Sequence, residues 1–362
     1  MDKRSLLLYW LCSAKPIAPG KAIKIAETGS DLEELFFEQT HYDKYKIGPA
    51  AREALARRAS KDMLEAELAG LEKRGIGAVT WLDEAYPEAL RQIASPPAML
   101  YFRGNLRLPG DRDFAIVGAR SCTRRGFENT FRIAADLAEQ GVNIVSGMAR
   151  GIDSAAHKGA LSRGGRTTAV LGCGIDVIYP PENRRLYEEI CAEGLVLSEY
   201  PMGHPAYPGN FPQRNRIICG LAQGLLLAEG RQKGGGSISV SLALEQGKEI
   251  FALPGDIASP ESALPNTLID EGANVALGAG SILSAMGWEA RRSSRKEAEK
   301  PAGLDFFAGE MYNSLLKGEK TVDRLIAETG QTPAQAAASL TTLEIRGLIA
   351  RLPGNAFTVK KN

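Results

Sequence analysis

Residues 114–153, FAIVGARSCTRRGFENTFRIAADLAEQGVNIVSGMARGID, carry the pattern from which the fold can be predicted. It runs from an apolar segment through a glycine-rich loop to an amphipathic segment, and then the same order begins again. The apolar segments do not alternate with polar residues, which is typical of strands covered on both faces. The predicted strands lie at 114–117, 143–146, 168–171, 195–197, 225–228 and 250–252. Strands that alternate with helices of this length indicate an α/β protein with a doubly wound parallel sheet.

The segments on either side of this pattern predict further domains. Residues 1–75 carry apolar positions at helical spacing and predict a small helical domain. Two short strands and a helix follow, so we place the sheet domain at 76–287. Residues 288–304 are polar and predict a flexible linker. Residues 305–362 predict three short helices and a terminal hairpin, which is the winged-helix pattern.

Composition excludes several classes of protein. The 362 residues are 44% hydrophobic and 24% charged, which is ordinary globular composition and excludes wholesale disorder. The formal net charge of +1 means that any affinity for nucleic acid must come from local charge clusters. Five dispersed cysteines without a C-x-x-C pair, and three scattered histidines, predict neither a disulfide framework nor a metal site. The apolar run at 6–11 is too short for a membrane span, so we expect a cytoplasmic protein without one.

The common nucleotide-enzyme motifs are missing. The sequence contains no G-x-x-x-x-G-K-[ST], so a P-loop ATPase is not expected. Gly172 and Gly174 follow a predicted strand, but Val177 stands where a dinucleotide fingerprint has its third glycine. H-E-x-x-H and G-x-S-x-G are also absent. We therefore predict no cofactor.

Four loops predict an anion site. They lie at 118–126, 146–153, 199–216 and 229–237, each at the carboxyl end of a predicted strand. In a doubly wound sheet such loops meet at one crevice. All four combine arginines with glycines or helix starts, and arginine grips phosphate with a planar, bidentate fork. Phosphate is the ligand that this combination favours.

Phe211, and the pair formed by Asp153 and His157, each have two interpretations. Phe211 is predicted to lie in a loop flanked by Pro208 and Pro212, where it is either a stacking platform for single strands or a loop anchor packed into the core. Asp153 and His157, one helical turn apart, are either an acid–base pair or a helix-start carboxylate and a hydrogen-bonded core histidine. We favour the second interpretation for His157.

Ordered segments between residues 118 and 273 resemble the DprA/Smf family of DNA-processing proteins. They are GAR at 118–120, SGMARGID at 146–153, AVLG at 169–172 with Tyr179-Pro180, LSEYP at 197–201, FPQRNRII at 211–218, FALPG at 251–255 and NTLIDEGA at 266–273. The resemblance implies an extended Rossmann-like domain between an N-terminal helical domain of the SAM or helix-hairpin-helix type and a C-terminal winged helix.

The resemblance also implies a function for this protein. Its members are non-enzymatic proteins that bind and protect single-stranded DNA, load the RecA recombinase onto it during natural transformation, and dimerise through the Rossmann-like domain. The family's DNA contacts map to the side chains of Arg120, Arg150, Phe211, Arg214 and Asn215 and to backbone amides around Gly118 and Gly147. With their loop neighbours, the predicted DNA-binding residues are Gly118, Arg120, Ser121, Gly147, Arg150, Gly151, Phe211, Arg214, Asn215 and Arg216.

Two other functions stay open. A nucleotide phosphoribohydrolase of the lysine-decarboxylase-like group would bind a mononucleotide phosphate at 234–236 and activate water with Glu199 or Glu229. A transcription factor would use residues 305–362, but basic and acidic residues are nearly balanced there.

We also predict a homodimer through residues 240–286. The segments 274–277 and 282–286 come last before the linker and predict an edge strand with a neighbouring helix. This edge has few charged residues that would prevent it from pairing with another strand. Its apolar residues suit a two-fold contact between two copies of the chain. They are Leu277, Ile282, Leu283, Met286 and Trp288. The alternative is that the linker or the winged helix covers this surface within one chain.

Overall fold

The chain folds into two units, one on each side of the predicted linker. The structure, a computed structural model, describes residues 1–13, 17–106, 110, 112–288, 304–316 and 318–360. The first unit comprises the described residues up to 288, and the second comprises those from 304 onward. The linker at 288–304 therefore lies outside the described residues except for its two ends. No helix within the described ranges is long and apolar enough to cross a membrane.

The described residues at the start of the first unit form five helices, four of which contain the segments with helical apolar spacing. They are α1 (Lys3–Ser13), α2 (Pro19–Glu27), α3 (Ser30–Phe37), α4 (Pro49–Arg57) and α5 (Lys61–Glu72). The fully buried Trp10 donates its Nε1 to the carbonyl of Leu55 at 3.0 Å, which ties α1 to α4. The apolar core under these helices continues into the sheet, so the helices and the sheet form one unit.

The described residues of this unit form a nine-stranded sheet with helices on both faces. Its elements are β1 (Gly77–Thr80), α6 (Glu88–Arg91), β2 (Met99–Gly104), β3 (Asp113–Val117), α7 (Arg124–Glu139), β4 (Asn143–Ser146), α8 (Ile152–Ser162), β5 (Thr167–Val170), α9 (Arg184–Glu193), β6 (Leu195–Ser198), α10 (Asn210–Leu221), β7 (Gly224–Leu227), α11 (Gly235–Glu245), β8 (Glu249–Ala252), α12 (Ala263–Asp270), β9 (Asn274–Val275) and α13 (Ala279–Ala285). The α/β prediction is confirmed.

The strand order fixes where a ligand can bind. It is β1-β2-β6-β5-β4-β3-β7-β8-β9, and the strands are parallel from β6 to β9. At one end β2 pairs antiparallel with β6, and β1 pairs antiparallel with β2. From β3 the chain moves through β4, β5 and β6 to one side and then returns to β7 on the other side. The order therefore reverses at β3, and a ligand site is expected at the carboxyl ends of β3 and its neighbours. We call the space enclosed there by the loops after β3 and β4 and by the starts of α10 and α11 the crevice.

The prediction that Phe211 lies in a loop was wrong. Residues 210–221 form α10, and Phe211 occupies its second position. Pro212 follows in the first turn, where amides have no acceptor within the helix and proline's missing N–H costs nothing. A proline that appears to mark a loop thus lies at the beginning of a helix.

The late segment is only partly as predicted. β9 forms the edge of the sheet, but Ile282 and Leu283 of α13 are buried in the core between that helix and the sheet. Their assignment to a dimer interface was therefore wrong, because they already pack beside Phe114. The exposed apolar residues at this edge are Val275 and Leu277, which are 39% and 77% exposed.

The second unit is a winged helix, as predicted. Its elements are α14 (Phe306–Leu315), β10 (Lys320–Thr321), α15 (Val322–Thr329), α16 (Pro333–Ile345), β11 (Ile349–Leu352) and β12 (Ala356–Val359), with the strands in the order β10-β12-β11. Thr332 and Gln335 form a capping box at the start of α16, and Pro333 suits the first helical position.

Candidate nucleic-acid interface

Glycines form the floor of the crevice. A Cβ atom at Gly118, directly after β3, would lie 2.7 Å from Cγ1 of Ile152 and 2.8 Å from the carbonyl oxygen of Glu229. Gly151 precedes α8 with a φ of +71°, a conformation that favours glycine. The backbone there packs too tightly against Ala119 to admit a side chain. Glycine at both positions therefore lets the loops after β3 and β4 pack closely together, and these packed loops form the floor.

Arg214 supports this floor from below. It is only 3% exposed, and its Nη1 donates to the carbonyl of Gly147 at 2.6 Å and to the carbonyl of Val170. Burial lowers the pKa of Arg214. Burial also raises the pKa of Asp153, and the charge of Arg214 opposes that shift. Arg214 thus joins the ends of β4 and β5 as a positioning residue.

Phe211 lines the crevice next to a cation and a second aromatic ring. The guanidinium of Arg120 lies 5.0 Å from the centroid of the half-buried Phe211 ring. On another side the Tyr179 ring lies 5.3 Å away, tilted by 33°. Arg120 is exposed, and no carboxylate within the described ranges pairs with it. An aromatic ring beside an available cation can stack a base and hold its phosphate.

The remaining predicted arginines already have partners. Arg150 lines the crevice beside Tyr179, but its guanidinium pairs with Glu182. Arg216 makes a bidentate ion pair with Glu199, at 2.7 and 2.6 Å, on the far side of α10. The structure therefore brings Arg150 to the crevice and holds Arg216 away from it.

Of the two polar predicted residues, Asn215 lines the crevice. Ser121 is exposed in the loop beside Arg120. Asn215 donates to the Oγ of Ser239 at 2.9 Å and accepts from Arg214, so it connects α10 to α11. Gly235 and Gly236 open α11 on the same wall, and the first amides of a helix are available to anions.

Two titratable side chains considered for catalysis are buried and have hydrogen-bond partners within the fold. Glu229 is 6% exposed and accepts from both the backbone N–H and the hydroxyl of Thr123, at 2.8 and 2.6 Å. His157 is fully buried with its Nδ1 2.7 Å from the Thr167 hydroxyl, and burial lowers its pKa to about 3. This confirms the interpretation of His157 as a core histidine. Within the described residues, no cluster of three His, Cys, Asp or Glu side chains could hold a metal ion.

Two residues beside the crevice were missed as site residues. Tyr179 was noted only as part of a motif, and Glu182 was not considered. Both follow β5, whose carboxyl end lies at the same edge of the sheet as the predicted loops. That position was the signal that could have identified them.

Comparison with known proteins decides the family. Residues 77–287 match the sequence model of a family described as DNA recombination-mediator protein A. The chain belongs to this family. Residues 319–355 match the DprA winged helix domain. Among relatives within the family, Protein Smf of Synechocystis is 35% identical over 313 residues, which are 76% of this chain and 78% of that protein. DNA processing protein DprA of Streptococcus pneumoniae is 41% identical over 203 residues, 56% of this chain and 72% of that protein.

Solved structures of the family agree with the fold. The X-ray structure of DprA from Streptococcus pneumoniae has a TM-score of 0.69 at 34% identity, and covers 78% of this chain and 98% of that chain. DNA processing protein A from Helicobacter pylori has a TM-score of 0.53 at 30% identity, and covers 59% of this chain and 97% of that chain. The Helicobacter structure concerns that protein's single-stranded DNA binding mode. Family membership and the Rossmann-like fold, both expected from the sequence, are confirmed.

Proposed function

We propose that the crevice binds single-stranded DNA without base specificity and that the protein is not an enzyme. The observation that carries this proposal is the half-buried ring of Phe211, with the exposed guanidinium of Arg120 beside it and Tyr179 next to both. The ring offers a stacking face that suits any base, while the cation and the helix-start amides suit phosphates. The related Helicobacter protein, with its single-stranded DNA binding mode, supports the same ligand.

A single strand suits this arrangement better than a duplex does. In a duplex the base faces are stacked on one another, so an aromatic side chain reaches them only after unstacking, which costs free energy. Sequence-specific readout would need paired donors and acceptors aimed at base edges. Stacking and phosphate contacts together predict binding that tolerates any sequence.

Hydrolysis of nucleotides is the less favoured function. A phosphoribohydrolase needs a carboxylate that can activate water, and both candidates hold internal partners: Glu199 pairs with Arg216, and Glu229 accepts from Thr123. Incubation with nucleoside monophosphates should release no free base. Release that Glu199→Gln abolishes would favour the hydrolase instead.

The transcription-factor function is also less favoured. The third helix of the winged helix, α16, has the sequence PAQAAASLTTLEI and contains no lysine or arginine. Without cations it offers a duplex little of the phosphate attraction on which DNA binding depends.

We further propose the wider role that the resemblance implies. The protein would protect bound strands in the cytoplasm and load RecA onto them, with domains at 1–75, 76–287 and 305–362. It would act as a homodimer through residues 240–286. The exposed apolar residues Val275 and Leu277 at the edge strand support this contact.

The test is the affinity of a Phe211→Ala variant for oligo-dT. Stacking is worth roughly 1–3 kcal/mol per base, so binding should weaken by about 5- to 150-fold. The salt dependence should not change, because no charge is removed, and Phe211→Tyr should bind like the natural protein. A variant that melts at lower temperature but keeps its affinity would show that Phe211 is a core anchor.

A further inference from the structure

A second group of aromatic rings lies in the loop between β6 and α10. The rings of Tyr200 and His204 are stacked, with centroids 4.8 Å apart and an interplanar angle of 16°. Tyr207 meets His204 in a T-shaped contact, with centroids 5.6 Å apart. Tyr200 and His204 are partly buried, whereas Tyr207 is 56% exposed. The group therefore presents one open ring backed by two fixed ones.

The loop that carries these rings is held in place from below. The backbone N–H of Gly174 donates to the carbonyl of His204 at 2.8 Å, and the N–H of Gly203 donates to Oδ1 of Asp176 at 2.8 Å. A Cβ atom at Gly174 would lie 2.6 Å from the carbonyl oxygen of Pro201, so the two loops are in close contact. A ring that is already ordered loses little conformational freedom when a ligand stacks on it.

Asn210 links this group to the crevice. Its Nδ2 donates to the carbonyl of Gly172 at 3.0 Å and lies 3.0 Å from Nε2 of His204. Its backbone N–H donates to the carbonyl of Tyr207 at 3.0 Å, and its chain neighbour is Phe211. The same residue thus fixes the position of Tyr207 and begins the helix that carries Phe211.

The chemistry of the loop favours bases over phosphates. Residues 201–213, PMGHPAYPGNFPQ, contain no lysine or arginine. The segment therefore adds apolar and aromatic surface next to the crevice without adding positive charge. An exposed tyrosine that only anchored the loop would be expected to bury its ring, as Tyr200 and His204 partly do.

We propose that Tyr207, backed by His204 and Tyr200, is a second base-stacking position that continues the strand path beyond Phe211. The proposal rests on the proposed function of the crevice and extends it. Its ligand is an unpaired nucleotide of any base, bound through the ring face and not through its phosphate. Tyr207 therefore contributes to affinity but not to salt dependence.

The test compares three variants of Tyr207 with a matched control. Tyr207→Ala and Tyr207→Leu should weaken oligo-dT binding by about 5- to 150-fold in fluorescence anisotropy, with an unchanged salt slope. Tyr207→Phe should bind like the natural protein, because it keeps the ring. Phe37→Ala is the control, since Phe37 is also 56% exposed but lies on α3 in the helical front. It should leave affinity unchanged.

The outcomes separate this inference from the proposed function. Tyr207→Leu keeps apolar volume in the loop, so weaker binding at an unchanged melting temperature supports stacking. If natural protein binds oligo-dT and Phe211→Ala weakens it, but Tyr207→Leu binds equally well, the second stacking position is overturned and the crevice stands. If natural protein does not bind oligo-dT, the proposed function itself fails.

Discussion

Arg120→Gln removes one exposed charge from the crevice and leaves a polar side chain in its place. Within the described chain Arg120 has no carboxylate partner, and its guanidinium lies 5.0 Å from the Phe211 ring centroid. Its charge is therefore available to a phosphate. Each phosphate neutralised on a single strand contributes about −0.7 to the slope of log K against log salt, so the slope should flatten by about 0.7. Between about 50 and 200 mM salt, the ratio of the two affinities should then change by about 2.6-fold.

The assay is anisotropy of labelled oligo-dT across a salt series, with Arg185→Gln as control. Arg185 lies on α9, is 92% exposed and pairs with Glu189, so its loss changes the net charge equally but away from the crevice. The control should keep the natural slope. Equal slopes for natural protein and Arg120→Gln, with both binding measurably, would refute the phosphate contact. The lost cation–π contact costs only about 0.5–1 kcal/mol of stability, so the fold should persist.

Three further variants test other parts of the structure. Glu182→Gln should release Arg150 from its ion pair. Oligo-dT binding should then become stronger, and the salt slope should steepen by up to about 0.7. Unchanged binding would show that Arg150 and Glu182 do not contact the bound strand. Burial lowers the pKa of His157 from 6.5 to about 3. Between these two pH values only the unfolded chain binds a proton at His157. The free energy of unfolding therefore falls by up to about 1.4 kcal/mol per pH unit as the pH drops below 6.5. His157→Asn should flatten this acid limb in urea unfolding, and an equally steep limb would refute the assignment. Leu277→Glu should give monomers in light scattering, because a buried unpaired charge in the interface costs about 3–5 kcal/mol. The control Ile345→Glu, at an exposed position in the winged helix, should leave the dimer intact. If the Leu277→Glu variant stays dimeric, this edge is not the interface.

The strands could be predicted because a strand that is buried on both faces is a continuous run of apolar residues. All five residues of β3 are buried, and the predicted strand 114–117 differs from it by one residue. Helix starts were harder to predict. Apolar periodicity predicts a helix over 128–139, but α7 begins at Arg124, because Thr123 caps it by accepting from the N–H of Gly126 at 2.9 Å. Its first turn is polar, so apolar periodicity gives no signal there.

The sequence could not predict which arginines keep their charge available and which form ion pairs, because the partners are distant in sequence. Arg120 and Arg216 both lie near predicted strand ends, yet only Arg120 keeps its charge available. Arg216 is held by Glu199, 17 residues away, and by the carbonyl of Ser95, 121 residues away. Such partners are set by how the elements pack, and motif spacing carries no information about them.

The most direct measurement compares the binding of oligo-dT and of duplex DNA of equal length by the full chain across a salt series. The crevice predicts tighter binding of the single strand at every salt concentration, with affinity falling linearly on a log–log scale. Equal or tighter binding of the duplex would contradict a site built on the ring of Phe211 and the charge of Arg120.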